Sequence, residues 1–163
     1  MSDQQTRHKA DVRKEGDREL RIERVFDAPR DVVFKAFTDP ELIAQWWGPR
    51  GTETVVDEVD FRTGGDWRFV SRDSDGGETA FRGTFREVVA PERIAWTFEW
   101  DGMPGYPMVQ TLTLEDLGDG RTRVVSLTMA FTREERDGML GSGMEGGMNE
   151  SYAALDKLLA KLG

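Results

Sequence analysis

The chain contains no cysteine, so disulfides, thiolate metal sites and cysteine nucleophiles are excluded. Its single histidine, His8, sits in a polar N-terminal stretch. The remainder therefore lacks the residue most often used as a general base or metal ligand near neutral pH, and cannot assemble a Ser-His-Asp triad. Long apolar runs are also missing: none approaches the ~20 residues of a membrane-spanning helix. The N-terminus has charges but no apolar core of a secretory signal. Basic residues are in deficit, with 22 Lys and Arg against 31 Asp and Glu and a formal net charge of −9. Such a body is unsuited to phosphate backbones and anionic lipid surfaces, so neither nucleic-acid binding nor membrane insertion is expected. A cytoplasmic protein is the expectation, with a small molecule as partner; the sequence is also compatible with a homodimer.

What is present is enough for one folded domain. The chain has 163 residues, 37% hydrophobic, 33% charged and 10% aromatic, which supports a sizeable core. Residues 1–18 lack periodicity and apolar content and read as a disordered tail, leaving 19–163 as the domain. From Glu19 the pattern is two-fold, with Leu20, Ile22 and Phe26 on one parity of a first strand. Pro29 then predicts a helix start, and Asp39-Pro40 a second one with Asp39 as N-cap. Leu42, Ile43, Trp46 and Trp47 give that second helix an apolar face, and Gly48-Pro49 a stop.

Strand-like segments follow, separated by turn signals such as Asp73–Gly77 and Gly118-Asp119-Gly120. Hairpin-linked strands imply an antiparallel meander. Trp67, Phe69, Phe81, Phe85, Trp96 and Phe98 share a parity, and the last strand aligns Val125, Leu127, Met129 and Phe131. Thr97, Glu99, Gln110 and Arg82 fall on the opposite parity. Thr132-Arg133-Glu134-Glu135 reads as a capping box. A terminal amphipathic helix then presents Met144, Met148, Tyr152, Leu155, Leu159 and Leu162 on one face. The predicted fold is α+β: a six- to seven-stranded curved antiparallel sheet gripping a long C-terminal helix, with two short helices after the first strand.

The motifs Ala28-Pro29 with Val33 and Phe34, Thr38-Asp39-Pro40, Trp46-Trp47-Gly48-Pro49, Phe61-Arg62-Thr63-Gly64-Gly65 into Trp67-Arg68-Phe69, and Gly83 to Arg93 fall in order. In this the chain resembles the helix-grip superfamily of START-related and pollen-allergen-like proteins, often called SRPBCC. Within it, the chain is most similar to AHSA-type proteins, homologues of the C-terminal domain of an activator of a heat-shock chaperone ATPase. The resemblance covers about residues 19–162 and implies a cavity between sheet and terminal helix. It also suggests a stress or resistance role. The chain departs from the family in one place: a Gly-Trp pair common early in the last helix is Gly147-Met148 here.

The candidate ligand-binding residues are Trp46, Trp47, Trp67, Phe69, Phe81, Phe85, Trp96, Phe98, Tyr106, Met144, Met148 and Tyr152. They would form an apolar wall for a small hydrophobic or aromatic molecule; the alternative for each is ordinary core packing. Gly143, Gly146 and Gly147 leave space beneath the last helix or permit a bend. Tyr106, Asn149, Ser151 and Tyr152 are placed to offer hydrogen bonds. No catalytic residue, metal site or cofactor is expected, since the acidic pairs Glu58/Asp60 and Glu134/Glu135 lie on an exposed strand face and a helix start. Two other functions stay open: a polyketide-cyclase-like enzyme working through Tyr, Asp, Glu or Arg, and a co-chaperone-type interaction protein.

Overall fold

The computed structural model describes residues 10–47, 52–102, 104–105, 107–141 and 144–162. In chain order its strands and helices are β1 (Asp11–Glu15), β2 (Glu19–Phe26), α1 (Arg30–Thr38), α2 (Pro40–Trp46), β3 (Glu53–Val59), β4 (Asp66–Arg72), β5 (Glu78–Val89), β6 (Arg93–Trp100), β7 (Met108–Gly118), β8 (Arg121–Met129), α3 (Arg133–Gly141) and α4 (Met144–Leu162). The strands form one sheet, ordered β1-β2-β8-β7-β6-β5-β4-β3. Every pairing is antiparallel, as hairpin-linked strands require. Register shifts in β3, β5 and β7 mark bulges, which bend strands and increase their twist.

The fold is the expected helix grip, with eight strands rather than six or seven. The additional strand is β1, inside the stretch read as a disordered tail. Its residues pair with β2 from Asp11↔Glu23 to Glu15↔Glu19. Ala10 is buried, and its N–H donates to Asn149 Oδ1 on α4 at 3.1 Å. β1 is a charged edge strand, held by main-chain bonds that leave no apolar alternation in the sequence. The expected disorder of residues 1–9 lies outside the described residues.

The caps behave largely as read. Asp39 caps α2 by accepting from the Glu41 N–H at 3.0 Å, with Pro40 in the first turn. Thr132 Oγ1 accepts from the Glu135 N–H at 3.1 Å at the head of α3. Pro29 is the N-cap of α1, immediately before its first residue. The stop at Gly48-Pro49 lies outside the described residues. Among those described, no helix is long and apolar enough to cross a membrane.

One core joins the sheet to the helices. On β2, Leu20, Ile22 and Phe26 are buried, as their parity predicted. Tyr152, Leu155, Leu158 and Leu159 of α4 pack in the same core, while Leu162 is exposed. β8 reverses the expectation. Val124, Ser126 and Thr128 are its inward residues, paired in register with Arg24, Ile22 and Leu20 of β2. Met129 and Phe131, expected inside, are 39% and 60% exposed. Large side chains on β2 and β7 already fill the interior there, so the smaller face of β8 turns inward.

Candidate functional site

A cavity of about 400 Å³ lies between the sheet, α2 and α4. Its size falls at the small end of the roughly 300–1,000 Å³ typical of ligand pockets. Exposure orders its lining by depth. Asp73, Gly77 and Thr79, around the β4–β5 hairpin, are exposed and mark the mouth. Trp96, Leu112 and Ser126 are all nearly inaccessible and mark the far end.

The adjacent tryptophans divide in environment. Trp46, on α2, is buried and its indole N–H donates to the Ala36 carbonyl of α1 at 2.9 Å. Its ring meets Phe37 edge-on at 4.9 Å. Trp47, at the C-cap of α2, is half-buried and meets Phe69 and Trp96 edge-on at 5.2 and 6.3 Å. Its carbonyl accepts from Thr54 Oγ1, which ties the end of α2 to β3. Both rings line the cavity. Phe81 and Phe98 stack at 4.9 Å and extend the wall across β5 and β6. Met148 and Tyr152 close it from α4.

Trp67, Phe69 and Phe85 are fully buried but do not line the cavity. They form a layer beside it, with Trp67 at 4.8 Å from Phe69 and 5.1 Å from Trp96, and Phe85 at 4.7 Å from Phe61. For these three, ordinary core packing is the arrangement found. The Trp67 indole donates to the Thr97 carbonyl at 3.2 Å. That contact passes over Gly83, where a Cβ would strike the Thr97 carbonyl and the Trp67 indole nitrogen. Trp100, at the end of β6, is 42% exposed. Tyr106 lies outside the described residues, as does the side chain of Met144.

Several polar groups enter the site unannounced. Gln110 was expected on the outer face. In the register it pairs with Trp96 and faces inward. The Trp96 indole donates to Gln110 Oε1 at 2.7 Å, and Gln110 Nε2 donates to Thr128 Oγ1 at 3.0 Å. Because an indole N–H can only donate, it fixes the orientation of the amide. Ser126, also inward, has a buried hydroxyl with no hydrogen-bond partner among the described residues. Ser71, Thr52, Leu112 and Phe37 complete the lining that the strand pattern missed, and Ser151 lines it as well. Inward polar residues on β7 and β8 leave no apolar signal, so pairing register alone reveals them.

The remaining expected polar residues act elsewhere. Arg82 Nε donates to Glu99 Oε1 at 3.0 Å on the outer face. Glu99 Oε2 accepts from the Gly105 N–H at 2.8 Å, and these contacts hold its carboxyl below the usual range. Thr97 Oγ1 accepts from the Thr84 N–H, and Asn149 holds Ala10.

The electrostatics inside are neutral. Burial pushes the Tyr152 phenol up to about 12, opposed in part by the charge of Arg24. The hydroxyl is therefore protonated at neutral pH. Among the described lining residues there is no Lys, Arg or His, and Asp73 is the one carboxylate. It caps its own turn, accepting from the Asp75 and Gly77 N–H groups at 3.0 and 2.8 Å. No group of three or more His, Cys, Asp or Glu among the described residues is placed to hold a metal ion.

The sequence model for the family described as "Activator of Hsp90 ATPase homolog 1-like protein" matches residues 27–160. Solved structures share the architecture. A Rhodobacter sphaeroides protein superposes with a TM-score of 0.88 at 25% identity, over 94% of this chain and 99% of that one. A Chromobacterium violaceum protein gives 0.77 at 30% identity, over 87% and 96%. An AHSA1 protein of Silicibacter pomeroyi gives 0.73 at 25% identity, over 89% and 99%. No curated protein sequence matches the chain.

Proposed function

This chain belongs to the Activator of Hsp90 ATPase homolog 1-like family, and from that premise we propose that it binds a small hydrophobic or aromatic molecule in the cavity between sheet and C-terminal helix. The observation that carries this reading is the cavity of about 400 Å³, walled by Trp47, Trp96, Phe81, Phe98 and Met148. A well-packed domain leaves few voids larger than a water molecule. An aromatic-walled space of this size is instead suited to flat apolar ligands, which stack against ring faces and edges. Burying about 200 Å² of apolar ligand surface contributes roughly 5 kcal/mol before the entropic cost of association. In a stress or resistance setting, such binding would lower the free concentration of the molecule without altering it.

The test is native mass spectrometry of freshly purified protein, combined with addition of indane as a bare apolar probe. A bound small molecule, or indane-induced shifts of the Trp47 and Trp96 indole N–H resonances, is the expected result. Met148→Trp narrows the cavity from the α4 side and should weaken indane binding by roughly tenfold, about 1.4 kcal/mol. Protein that carries nothing and shows no indole shift with indane contradicts the reading.

A further inference from the structure

Given that cavity, we infer that its ligand is an uncharged molecule carrying a carbonyl oxygen, which the Ser126 hydroxyl receives at the far end. The inference rests on the binding function proposed above and adds the ligand's polarity and its anchor.

Three observations converge. The first is Ser126 itself: it is 2% exposed, lines the cavity, and its hydroxyl has no hydrogen-bond partner among the described residues. A buried hydroxyl left unpaired is destabilising, and most such groups in folded proteins are paired. Alanine would fit the same position without that cost. The hydroxyl is thus suited to a partner that arrives with the ligand.

The second is the set of neighbouring groups. Gln110 stands two residue pairs along the β7–β8 ladder, on the same face, since Leu112 pairs with Ser126 and Gln110 with Thr128. Its oxygen is taken by the Trp96 indole, and one amide N–H by Thr128. A primary amide has a second N–H to give. Tyr152 also lines the cavity, and its phenol retains its proton. Ser126, Gln110 and Tyr152 therefore all offer donors, which suits an acceptor oxygen.

The third is charge. The described lining contains no cation, and the carboxylate it contains, Asp73, stands at the mouth. The chain as a whole is −9. A carboxylate ligand would leave water, pass Asp73 and end among neutral groups, so its desolvation would go uncompensated. A ketone or related carbonyl meets the same donors without that penalty.

The experiment uses three probes of one skeleton, indane, indanone and indane carboxylate, titrated into nitrogen-labelled full-length protein. Binding is followed through the indole and amide N–H resonances. Indanone is expected to bind roughly three- to tenfold more tightly than indane, the worth of one hydrogen bond, with the carboxylate weakest. In Ser126→Ala, the ratio of indanone to indane affinity is expected to fall toward one. Equal affinity of indanone and indane in the unaltered protein overturns the inference while leaving the cavity's binding role standing. So does tightest binding of the carboxylate, or an indanone preference that survives in Ser126→Ala. If none of the three binds, the inference falls together with the binding role it rests on.

Discussion

Arg24 occupies the inward parity of β2, where its neighbours Ile22 and Phe26 are apolar. Its side chain is 1% exposed, and Asp156 of α4 meets its guanidinium with two oxygens, at 2.7 and 2.6 Å. The guanidinium also lies over the Phe26 ring at 4.5 Å and the Tyr152 ring at 5.8 Å, a favourable arrangement for a cation with reduced hydration. Removing the carboxylate alone leaves a buried cation. Asp156→Ala should cost about 3 kcal/mol, at the lower end for buried pairs because Asp156 retains some solvent contact. Urea denaturation checks this, and Arg24→Met with Asp156→Leu should recover most of the loss. Tyr152 gives a pH prediction. Its phenol rises from 10.0 to about 12 in the folded chain, so between those values the folded state keeps a proton that the unfolded state releases. Its stabilising effect is whole below pH 10 and is lost as pH climbs through 12, by roughly 2–3 kcal/mol. Tyr152→Phe should lose less stability over that interval than the unaltered protein; identical pH profiles would contradict the assignment.

Among the elements, β5 and β8 show how local pattern and sheet context combine. β5 contains Gly83 between the aromatic positions Phe81 and Phe85. The position must be glycine because the Thr97 carbonyl and the Trp67 indole approach where a Cβ would stand. The carbonyl is backbone and cannot rotate away. Gly83→Ala should therefore destabilise by roughly 2–3 kcal/mol. Gly138 on α3 has nothing within 4 Å of a built Cβ, so Gly138→Ala should instead stabilise by about 0.5–1 kcal/mol through helix propensity. Thermal unfolding of the two variants should move in opposite directions. β5 was legible in the sequence because its aromatic alternation agrees with its buried face. β8 was not. Its two parities, Val124-Ser126-Thr128 and Val125-Leu127-Met129, differ in hydrophobicity in the wrong sense. The pairings of Ser126 with Ile22 and Leu112 decide the matter, and a shift of one residue would have reversed it. The same register turns Gln110 inward, so the polar end of the cavity was hidden from sequence reasoning.

The whole molecule is a grip in which N-terminal residues take part. β1 covers the outer edge of β2, Ala10 reaches α4 through Asn149, and the buried Arg136 of α3 donates to the Glu19 carbonyl at 2.8 Å and the Gly16 carbonyl at 3.3 Å. Deleting residues 1–16 removes the β1–β2 ladder and should cost at least about 2 kcal/mol, several net hydrogen bonds' worth. A neutral effect in urea denaturation would restore the reading of this segment as a dispensable tail. By itself, the sequence determined what chemistry is unavailable, since a chain without cysteine and with one histidine cannot acquire those groups by folding. It also determined the order of the elements, because proline, Asp caps and Gly-Asp-Gly turns act on their immediate neighbours. Tertiary structure alone decided which aromatic rings face the cavity and which pack beside it, that the charged segment Asp11–Glu15 joins the sheet, and that Ser126 and Gln110 face inward. These are matters of pairing between distant strands, set by how much volume each neighbour has already filled, and one strand's own alternation carries no record of that.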